Sequence, residues 1–231
     1  MRSSLVILTL NEIEGISTIF DKIPFNEVDE YFVVDGGSTD GTVEFFKKRN
    51  VRIVSQKSRG RGEAFRIAER ESNGDSLVFF SPDGNEDPDD IPKLLELLDA
   101  GYDMAIASRF MPLARNEEDD LRFPWRAWAN RIFTFAANTI WNKNKYITDT
   151  INGYRAVKKD AFKRLKVDAP GFAIEFQMSI RAMKLGLKIA ETPTIEGHRI
   201  GGESTAKSIP TGFLFLRFLF REVKIGRNFL K

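Results

Sequence analysis

Cysteine is absent from this 231-residue chain, and histidine occurs once, as His198. The absence of cysteine excludes disulfides, thiolate metal sites and a cysteine nucleophile, and it fits a reducing compartment such as the cytoplasm. No stretch approaches the roughly 20 apolar residues that a membrane-spanning helix needs. The first apolar run reaches Asn11 and Glu12 too early for a signal peptide, so we expect none.

The chain also lacks a strong excess of either charge. Its formal net charge is +2, with 29% charged and 42% hydrophobic residues. This composition is that of an ordinary globular protein, and the balanced charge gives no reason to expect a nucleic-acid partner.

Short β-branched or aromatic runs alternate with helical patterns over the first hundred residues. Continuous apolar strands between helices indicate parallel strands covered on both faces, and right-handed crossovers give a doubly wound sheet. We therefore predict an α/β fold with a Rossmann-like, mostly parallel sheet. The predicted strands are Leu5–Thr9, Tyr31–Val34, Val51–Ser55, Ser76–Ser81 and Asp103–Ala107, and the predicted helices are Glu12–Ile23, Thr42–Arg49, Gly62–Ser72 and Ile91–Ala100.

Small or polar residues follow every predicted strand. Ligands of such sheets bind at the carboxyl ends of the strands, so these turns predict a polar, glycine-lined cleft that can admit a nucleotide. One turn of this kind is weak support because any turn uses glycine and aspartate. The five turns are Asn11-Glu12, residues 35–41 (DGGSTDG), residues 59–62 (RGRG), residues 81–85 (SPDGN) and Ser108-Arg109.

Asp83 is the first candidate ligand within that cleft. It directly follows a buried strand, where its carboxylate can hold Mg²⁺ or Mn²⁺, since such hard cations commonly take one or two carboxylates plus substrate phosphates. The alternative is a plain turn, of which Pro-Asp-Gly is typical.

Asp35 follows the run YFVV and is the second candidate. A carboxylate there is costly to desolvate unless it binds something, and a nucleobase or ribose would suit it. The alternative is that Asp35 and Ser38 cap the next helix, although Asp40 is better placed for that cap. In residues 59–62 the glycines allow close approach to a ligand and the arginines offer phosphate or base contacts, but solvated arginines in a turn show the same pattern.

Seven segments, in their order and spacing, carry a resemblance to a known family. LTLNEIEGI (8–16), VVDGGSTDGT (33–42), RGRGEAFRIA (59–68) and FFSPDGNEDPDDI (79–91) resemble family 2 glycosyltransferases of the glycosyltransferase-A fold. DTINGYR (149–155), GFAIE (171–175) and HRIGGES (198–204) resemble the polyprenyl-phosphate sugar synthases, such as dolichyl-phosphate mannose synthase. The resemblance covers about residues 3–207, and we expect residues 1–207 to form the nucleotide-sugar-binding domain.

The resemblance implies an inverting transfer of sugar from a UDP- or GDP-linked donor to a polyprenyl phosphate. It implies that Asp83 is the metal ligand and that the nucleotide-binding residues are Leu8, Asn11, Glu12, Asp35, Arg61 and Asp83. Two positions depart from the family pattern. Ser81-Pro82-Asp83 stands where the family usually has Asp-X-Asp, which questions the metal dependence, and Asp35-Gly36 stands where it often has Asp-Asp, which questions the choice of nucleotide.

A phosphate acceptor is already anionic and needs cationic positioning rather than a strong base. Arg199, Lys207 and Arg155 are the candidate cations, and Asp149 is the candidate for positioning the acceptor or for acting as a base toward a hydroxyl acceptor. Solvated surface charges are the alternative for Arg155 and Lys207. Glu175, in an apolar segment, fits either a structural ion pair or a catalytic role.

Other functions fit less well. Glycosyl transfer to a saccharide or other soluble hydroxyl acceptor is the nearest rival, and a catalytically weak nucleotide-sugar-binding subunit is the second. A dinucleotide-dependent dehydrogenase is disfavoured because LTLNEIEG replaces the glycine-rich G-x-G-x-x-G turn after the first strand.

The C-terminal part predicts contact with a membrane. Residues 111–122 predict a charged surface loop and residues 123–146 an amphipathic helix bearing Trp125 and Trp128. Residues 208–231 predict an amphipathic extension with a basic stripe at Arg217, Arg221 and Lys224, and residues 198–231 carry a local charge of +5. This pattern is typical of a helix lying on anionic lipid, so we expect a cytoplasmic protein, peripheral on the cytoplasmic face of the membrane. The alternative is that the phenylalanines close the core or form a dimer interface.

Overall fold

The structure, a computed structural model, describes residues 1–201 and 208–230. Within them, seven strands form one sheet in the order β3-β2-β1-β4-β6-β5-β7. Only β6 runs antiparallel to its neighbours, between β4 and β5, so the predicted doubly wound, mostly parallel sheet is confirmed. The strands are β1 (Ser3–Thr9), β2 (Glu30–Asp35), β3 (Ile53–Ser55), β4 (Ser76–Phe80), β5 (Met104–Ser108), β6 (Arg155–Lys158) and β7 (Ile189–Pro193).

Helices cover both faces of the sheet because alternate residues of each central strand face opposite sides. In β1, Leu5 and Ile7 join a core closed by α1 (Ile13–Ile19), α2 (Thr42–Lys48) and α4 (Asp90–Asp99). Val6 and Leu8 join the core on the other face. That second core is closed by α3 (Arg61–Glu71), α5 (Trp125–Trp141), α6 (Lys159–Leu165), α7 (Ala173–Leu185) and α8 (Ser208–Ile225). Short 3₁₀ turns lie at Phe20–Lys22, Phe25–Glu27 and Asn228–Leu230.

The carboxyl ends of the parallel strands meet at one edge of the sheet. Thr9 at the end of β1 is in register with Asp35 at the end of β2, and Ile7 of β1 is in register with Phe80 at the end of β4. β6 begins at this same edge, where Arg155 pairs with Phe79 and Ile106. The turns after β1, β2 and β4 and the segment before β6 are therefore neighbours.

The helix α8 packs on the second core through one face. Phe215 and Phe218 are buried, and the ring of Phe215 lies against Phe133 of α5 and Phe176 of α7, at 5.5 Å between centroids in both pairs. The fully buried Glu222 accepts hydrogen bonds from Arg181 and Lys184 of α7. No helix within residues 1–201 and 208–230 is long and apolar enough to cross a membrane. The boundary between a 1–207 domain and a 208–231 extension remains a proposal.

Candidate active site at the carboxyl edge of the sheet

A cleft of about 740 Å³ lies at the carboxyl edge of the sheet. It brings together side chains from the turns after β1 and β4, from α3 and from the segment after β7. The predicted site residues that line it are Leu8, Asn11, Glu12, Arg61, Asp83 and Arg199. Asp35, Asp149 and Arg155 are not among its lining residues, and Lys207 lies outside the described residues.

Arg199 joins two turns of the cleft through its guanidinium. Its Nη1 donates to Asp83 Oδ2 at 2.7 Å and its Nη2 to Glu12 Oε1 at 2.5 Å. The backbone around Arg199 is tied to the Asp83 turn as well, because the Ile200 N–H donates to the Asp83 carbonyl at 2.7 Å. The segment after β7 therefore closes over the turn after β4, with Arg199 as its charged contact.

Burial raises the pKa values of the carboxylates in this part of the cleft. The pKa of Glu12 rises to about 7 because burial and the neighbouring Asp83 outweigh the attraction of Arg199. Burial likewise raises the pKa of Asp83 against the opposing effect of Arg199. Burial and the nearby Asp83 carboxylate raise the pKa of Glu86 well above its ordinary value. This concentration of desolvated acid is suited to a ligand that brings positive charge.

Asp83 and Asn85 offer hard oxygen donors to such a ligand. Asn85 Oδ1 is buried and has no hydrogen-bond partner among the described residues, an arrangement that costs free energy unless something binds there. The Asn85 N–H donates to Asp83 Oδ1 at 3.1 Å, which keeps the two side chains adjacent. In the described part of the chain no group of three or more His, Cys, Asp or Glu residues could hold a metal. The donors fit a divalent cation that completes its shell with substrate phosphates.

Asp35 is buried beneath the loop after β2. Its carboxylate accepts hydrogen bonds from the Thr9 and Ser38 hydroxyls and from the backbone N–H groups of Gly37 and Ser38, between 2.5 and 3.1 Å. These four donors match the acceptor capacity of a carboxylate, so a base or ribose would have to displace one of them. Asp35 thus holds Gly36 and Gly37 at the cleft, while its direct contact with a nucleotide remains a prediction. Asp40 is not the N-cap of α2, which is Gly41, but its carboxylate accepts from the N–H groups of Thr42 and Ile13, the first residues of α2 and α1.

Arg61 projects from the first turn of α3 into the cleft. It forms an ion pair with the buried Glu175 of α7 and donates to Ser81 Oγ at 3.2 Å. Glu175 therefore has the ion-pair partner that a carboxylate in an apolar segment requires. It holds the Arg61 guanidinium beside Ser81, in the turn after β4.

Asp149 does not reach the cleft, which corrects its assignment as an acceptor-positioning group or a base. Its carboxylate is fully buried and binds Arg109 in two places, from Nε at 2.7 Å and from Nη2 at 3.2 Å. Burial acts against ionisation, but Arg109 and the backbone N–H groups of Ile151 and Asn152 hold the pKa of Asp149 below its ordinary value. The residue that lines the cleft is Arg109, whose Nη1 also lies 3.5 Å from Glu196.

Arg155 lies in the core, which corrects its assignment as an acceptor-binding cation. It is fully buried, donates to the carbonyls of Asn152 and Glu175 and to Ser179 Oγ, and burial lowers its pKa to about 10. Its role here is to join the segment before β6 to α7.

Part of the cleft lining is apolar. The apolar lining residues are Ala129 and Phe133 of α5, Phe215 of α8, Ile151 and Phe172. Both helices also expose apolar side chains in stripes at helical spacing. The stripe of α5 is Trp128, Ile132 and Phe135, and that of α8 is Phe213, Leu216, Phe220 and Val223.

Two residues of the site were missed by sequence reasoning. Arg109 was noted only as part of a polar turn, and its pairing with Asp149 spans 40 residues. Residues 111–122 were expected to be a solvated loop, but Glu118 is buried and accepts from the Ala127 N–H near the start of α5 at 3.0 Å. No sequence pattern other than charge indicated that Glu117 and Glu118 of this loop line the cleft.

Gly15 supplies a direct test of how the Asp83 turn is supported. A Cβ at this position would lie 2.2 Å from the Pro82 carbonyl oxygen and 3.0 Å from Asp83 Cα, so α1 can pack this closely only with glycine. We expect Gly15→Ala to shift the turn, to lower the free energy of unfolding by about 1 to 3 kcal/mol, and to weaken Mn²⁺-dependent binding of UDP measured by calorimetry. Ser17→Ala is the control, because Ser17 is exposed on the same helix as Gly15. Unchanged binding in Gly15→Ala would contradict the prediction.

Known families and structures resemble this chain over most of its length. A family model described as Glycosyl transferase family 2 matches residues 4–166. Glycosyltransferase AglJ of Haloferax volcanii is 29% identical, with 94% of this chain and 70% of the relative covered. Dolichol-phosphate mannosyltransferase of Pyrococcus furiosus is also 29% identical, with 97% and 64% covered, so this chain spans less than two thirds of that relative. Undecaprenyl-phosphate mannosyltransferase of Micrococcus luteus is 29% identical, with 88% and 87% covered.

Among solved structures, glucosyl-3-phosphoglycerate synthase from Mycobacterium tuberculosis, in complex with Mn²⁺ and UDP-glucose, superposes with a TM-score of 0.71 at 23% identity. The superposition covers 98% of this chain and 78% of the other. At this identity the likeness shows the fold alone, and it agrees with the glycosyltransferase-A architecture expected from the sequence.

Proposed function

This chain belongs to glycosyltransferase family 2, and from that membership we propose that it transfers a sugar from a nucleotide sugar to a polyprenyl phosphate. The observation that carries the proposal is the mixed lining of one cleft. Charged and polar side chains follow the strands, as a nucleoside diphosphate requires, and apolar side chains of α5 and α8 line the same cleft. Two of the relatives are named for transfer to dolichol phosphate and undecaprenyl phosphate.

In the proposed complex, the diphosphate of the nucleotide sugar lies beside Asp83. Asp83 and Asn85 would hold Mg²⁺ or Mn²⁺ there, and Leu8, Asn11, Glu12 and Arg61 line the surrounding nucleotide site. When bound, the cation supplies charge neutralisation to the departing nucleoside diphosphate. Arg61, fixed by Glu175, adds a guanidinium that suits a phosphate oxygen.

In the proposed complex, the phosphate of the acceptor lies beside Arg109. This guanidinium lines the cleft, is held rigidly by the buried Asp149, and meets Glu196 on its open side. Because a phosphate monoester is anionic at neutral pH, the step needs orientation of an existing nucleophile more than it needs a base. Attack from the face opposite the leaving group inverts the anomeric carbon. Lys207 remains a proposed additional cation.

The apolar stripes of α5 and α8 are proposed to lie on the cytoplasmic surface of an anionic membrane. Arg217 and Lys224 of α8 supply positive charge beside Phe213 and Phe220. Such a helix binds through buried apolar area together with attraction to anionic lipid. Contact there would place the cleft-lining residues of α5 and α8 near the bilayer that holds the acceptor.

Transfer is tested with labelled UDP- and GDP-sugars, vesicles containing undecaprenyl or dolichyl phosphate, and Mn²⁺. We expect label in the extracted lipid only when both lipid phosphate and cation are present. Label transferred to a soluble hydroxyl acceptor but never to lipid would contradict the acceptor assignment. Absence of any transfer by a protein that binds the nucleotide would indicate a binding subunit instead.

Membrane binding is tested by substituting exposed side chains only. We expect Phe213→Glu with Phe220→Glu to reduce flotation with phosphatidylglycerol vesicles at least several-fold, because these rings are 70% and 69% exposed and make the apolar stripe of α8. Tyr102→Glu is the control, since this exposed residue precedes β5 at the opposite edge of the sheet. Equal flotation of the double variant and the control would exclude α8 as the membrane contact.

A further inference from the structure

The carboxylates of Glu12 and Asp83 come from separate turns, and both pair with the guanidinium of Arg199. Their carboxylates bind the two Nη atoms of Arg199, at 2.5 and 2.7 Å. Because both Nη atoms are bonded to a single carbon, the two carboxylate oxygens are held on either side of one guanidinium. The side chains of Glu12, Asp83 and Arg199 are all largely buried, so water compensates little of this charge.

The turn after β4 alone is short of negative charge for a divalent cation. Its first position is Ser81, whose hydroxyl accepts from Arg61 and whose N–H donates to Glu86 at 2.6 Å. Asp83 is the carboxylate beside the orphaned Asn85 oxygen, and the other carboxylate of this turn, Glu86, already accepts from the Ser81 N–H. The parallel register of β1 and β4 makes the turn that carries Glu12 a neighbour of the turn that carries Asp83.

We propose that Glu12 supplies the second carboxylate of the divalent-cation site, and that Arg199 occupies the carboxylate pair until a cation with nucleoside diphosphate replaces it. The proposal rests on the proposed function, which assigns the cation to Asp83 and Asn85. It gives the site two carboxylates and an amide oxygen from the protein, a set that suits a hard cation completed by phosphate oxygens.

The bonding of Arg199 fits a displaceable cation. Its Nε is buried and has no hydrogen-bond partner within the part of the chain that the structure describes, so the guanidinium is not fully satisfied where it lies. Charge favours the exchange too, since one arginine neutralises one of two carboxylates and a divalent cation neutralises both. Once displaced, a guanidinium is well suited to a diphosphate oxygen.

Glycines on both sides of Arg199 allow its segment to pack closely against its neighbours. A Cβ at Gly197 would lie 2.5 Å from the Gly84 carbonyl oxygen, so only glycine allows this close approach to the Asp83 turn. Gly201, with a φ of 72°, adopts a backbone conformation that other residues rarely take. These positions flank Arg199 and keep its backbone close to α1 and the Asp83 turn, so the proposed exchange redirects the side chain of Arg199 and not the segment that carries it.

The alternative is that Glu12 only anchors Arg199. The two roles differ in what happens when Arg199 is removed. If Glu12 only anchors Arg199, replacing Glu12 has no effect on Mn²⁺ binding once Arg199 is alanine. If Glu12 is a metal ligand, replacing it still weakens Mn²⁺ binding in that background. A double-mutant cycle between these positions therefore isolates direct ligation.

The experiment measures Mn²⁺ binding by the loss of the free-ion electron paramagnetic resonance signal, first with Mn²⁺ alone and then with UDP. The variants are Asp83→Asn, Glu12→Gln, Arg199→Ala and the double variant Glu12→Gln/Arg199→Ala. Glu44→Gln is the matched control, because it removes the same charge from an exposed position on α2. Circular dichroism confirms that each variant is folded, and Arg199→Ala leaves both carboxylates in place if Glu12→Gln itself does not fold.

We expect Glu12→Gln and Asp83→Asn each to weaken Mn²⁺ binding at least tenfold, and Arg199→Ala to strengthen binding of Mn²⁺ alone several-fold. In the Arg199→Ala background, Glu12→Gln should still weaken Mn²⁺ at least tenfold. If it has no effect there, Glu12 is an anchor and the inference is wrong. If Arg199→Ala does not strengthen binding of Mn²⁺ alone, the exchange is wrong. If Asp83→Asn binds Mn²⁺ like wild type, the cation site of the proposed function fails first.

Discussion

Replacing Glu222 with alanine is expected to lower the free energy of unfolding by about 3 to 5 kcal/mol. Glu222 is fully buried in α8, where it accepts from Arg181 at 2.9 Å and from Lys184 at 2.6 Å, and both cations are buried as well. Removing the carboxylate leaves two buried positive charges in α7 without their shared partner. Gln177 also loses the acceptor of its hydrogen bond.

Urea unfolding followed by circular dichroism measures the effect. The control is Arg221→Ala, one residue away on the same helix, whose ion pair with the half-exposed Asp168 should contribute less than about 1 kcal/mol. A loss in Glu222→Ala no larger than in Arg221→Ala would show that the α7–α8 contact is not held by this charge cluster. A large loss would mean that truncation before α8 removes part of the core, contrary to the separable extension expected from the sequence.

The pH dependence of stability supplies a second check on Glu222. Burial alone acts against its ionisation, but the bonds from Arg181, Gln177 and Lys184 hold the pKa of Glu222 below its ordinary value. Its contribution is therefore present above the unfolded-state pKa and is lost as the pH falls through the folded-state value. Glu222→Gln should lose less stability than wild type on acidification.

Substituting Arg109 is expected to abolish most of the transfer to lipid phosphate. Charge-assisted hydrogen bonds contribute about 1.5 to 3 kcal/mol each, so loss of one such bond from Arg109 to the acceptor phosphate should lower kcat/KM by about 10- to 100-fold. Arg109→Lys is the informative change because it keeps a cation beside the buried Asp149 but loses the planar, bidentate geometry. The variant should bind Mn²⁺ and UDP as wild type does.

Arg126→Lys is the matched control for Arg109. It also lines the cleft, but its side chain is 39% exposed and it pairs with Glu117 and Glu118 of the preceding loop. We expect a smaller loss there. If Arg109→Lys transfers sugar at the wild-type rate, or if its loss is accompanied by equal loss of UDP binding, Arg109 is not the acceptor cation.

The sequence predicted the parts of this molecule that depend on local pattern. The first five strands and the polar turn after each of them follow from short apolar runs and the residues that end them, and Asp83 and Glu12 stand in the cleft as a consequence. The reversed strand β6 was not predicted, because Arg155–Lys158 is too short to carry a recognisable pattern and its insertion between β4 and β5 is decided by tertiary pairing.

The errors at Asp149 and Arg155 share a physical cause. A charged residue in a motif was assumed to face a ligand, but each has enough internal partners to be buried. Asp149 is satisfied by Arg109, 40 residues earlier, and Arg155 by carbonyl oxygens and Ser179. Likewise, the contact between Arg199 and Glu12 spans 187 residues, and no local pattern indicates such a pair.

The rings of Phe133 and Phe215, which line the cleft, have a consequence for how the acceptor is selected. These rings pack against each other where α5 meets α8, and both line the cleft. Under the proposed function, we expect the cleft to enclose only the isoprene units nearest the phosphate. The remainder of the lipid stays among other lipids. The protein would then recognise the phosphate and its nearest isoprene units but not the length of the lipid chain. Short-chain polyprenyl phosphates should show a KM close to that of the long-chain acceptor when both are presented in the same vesicles.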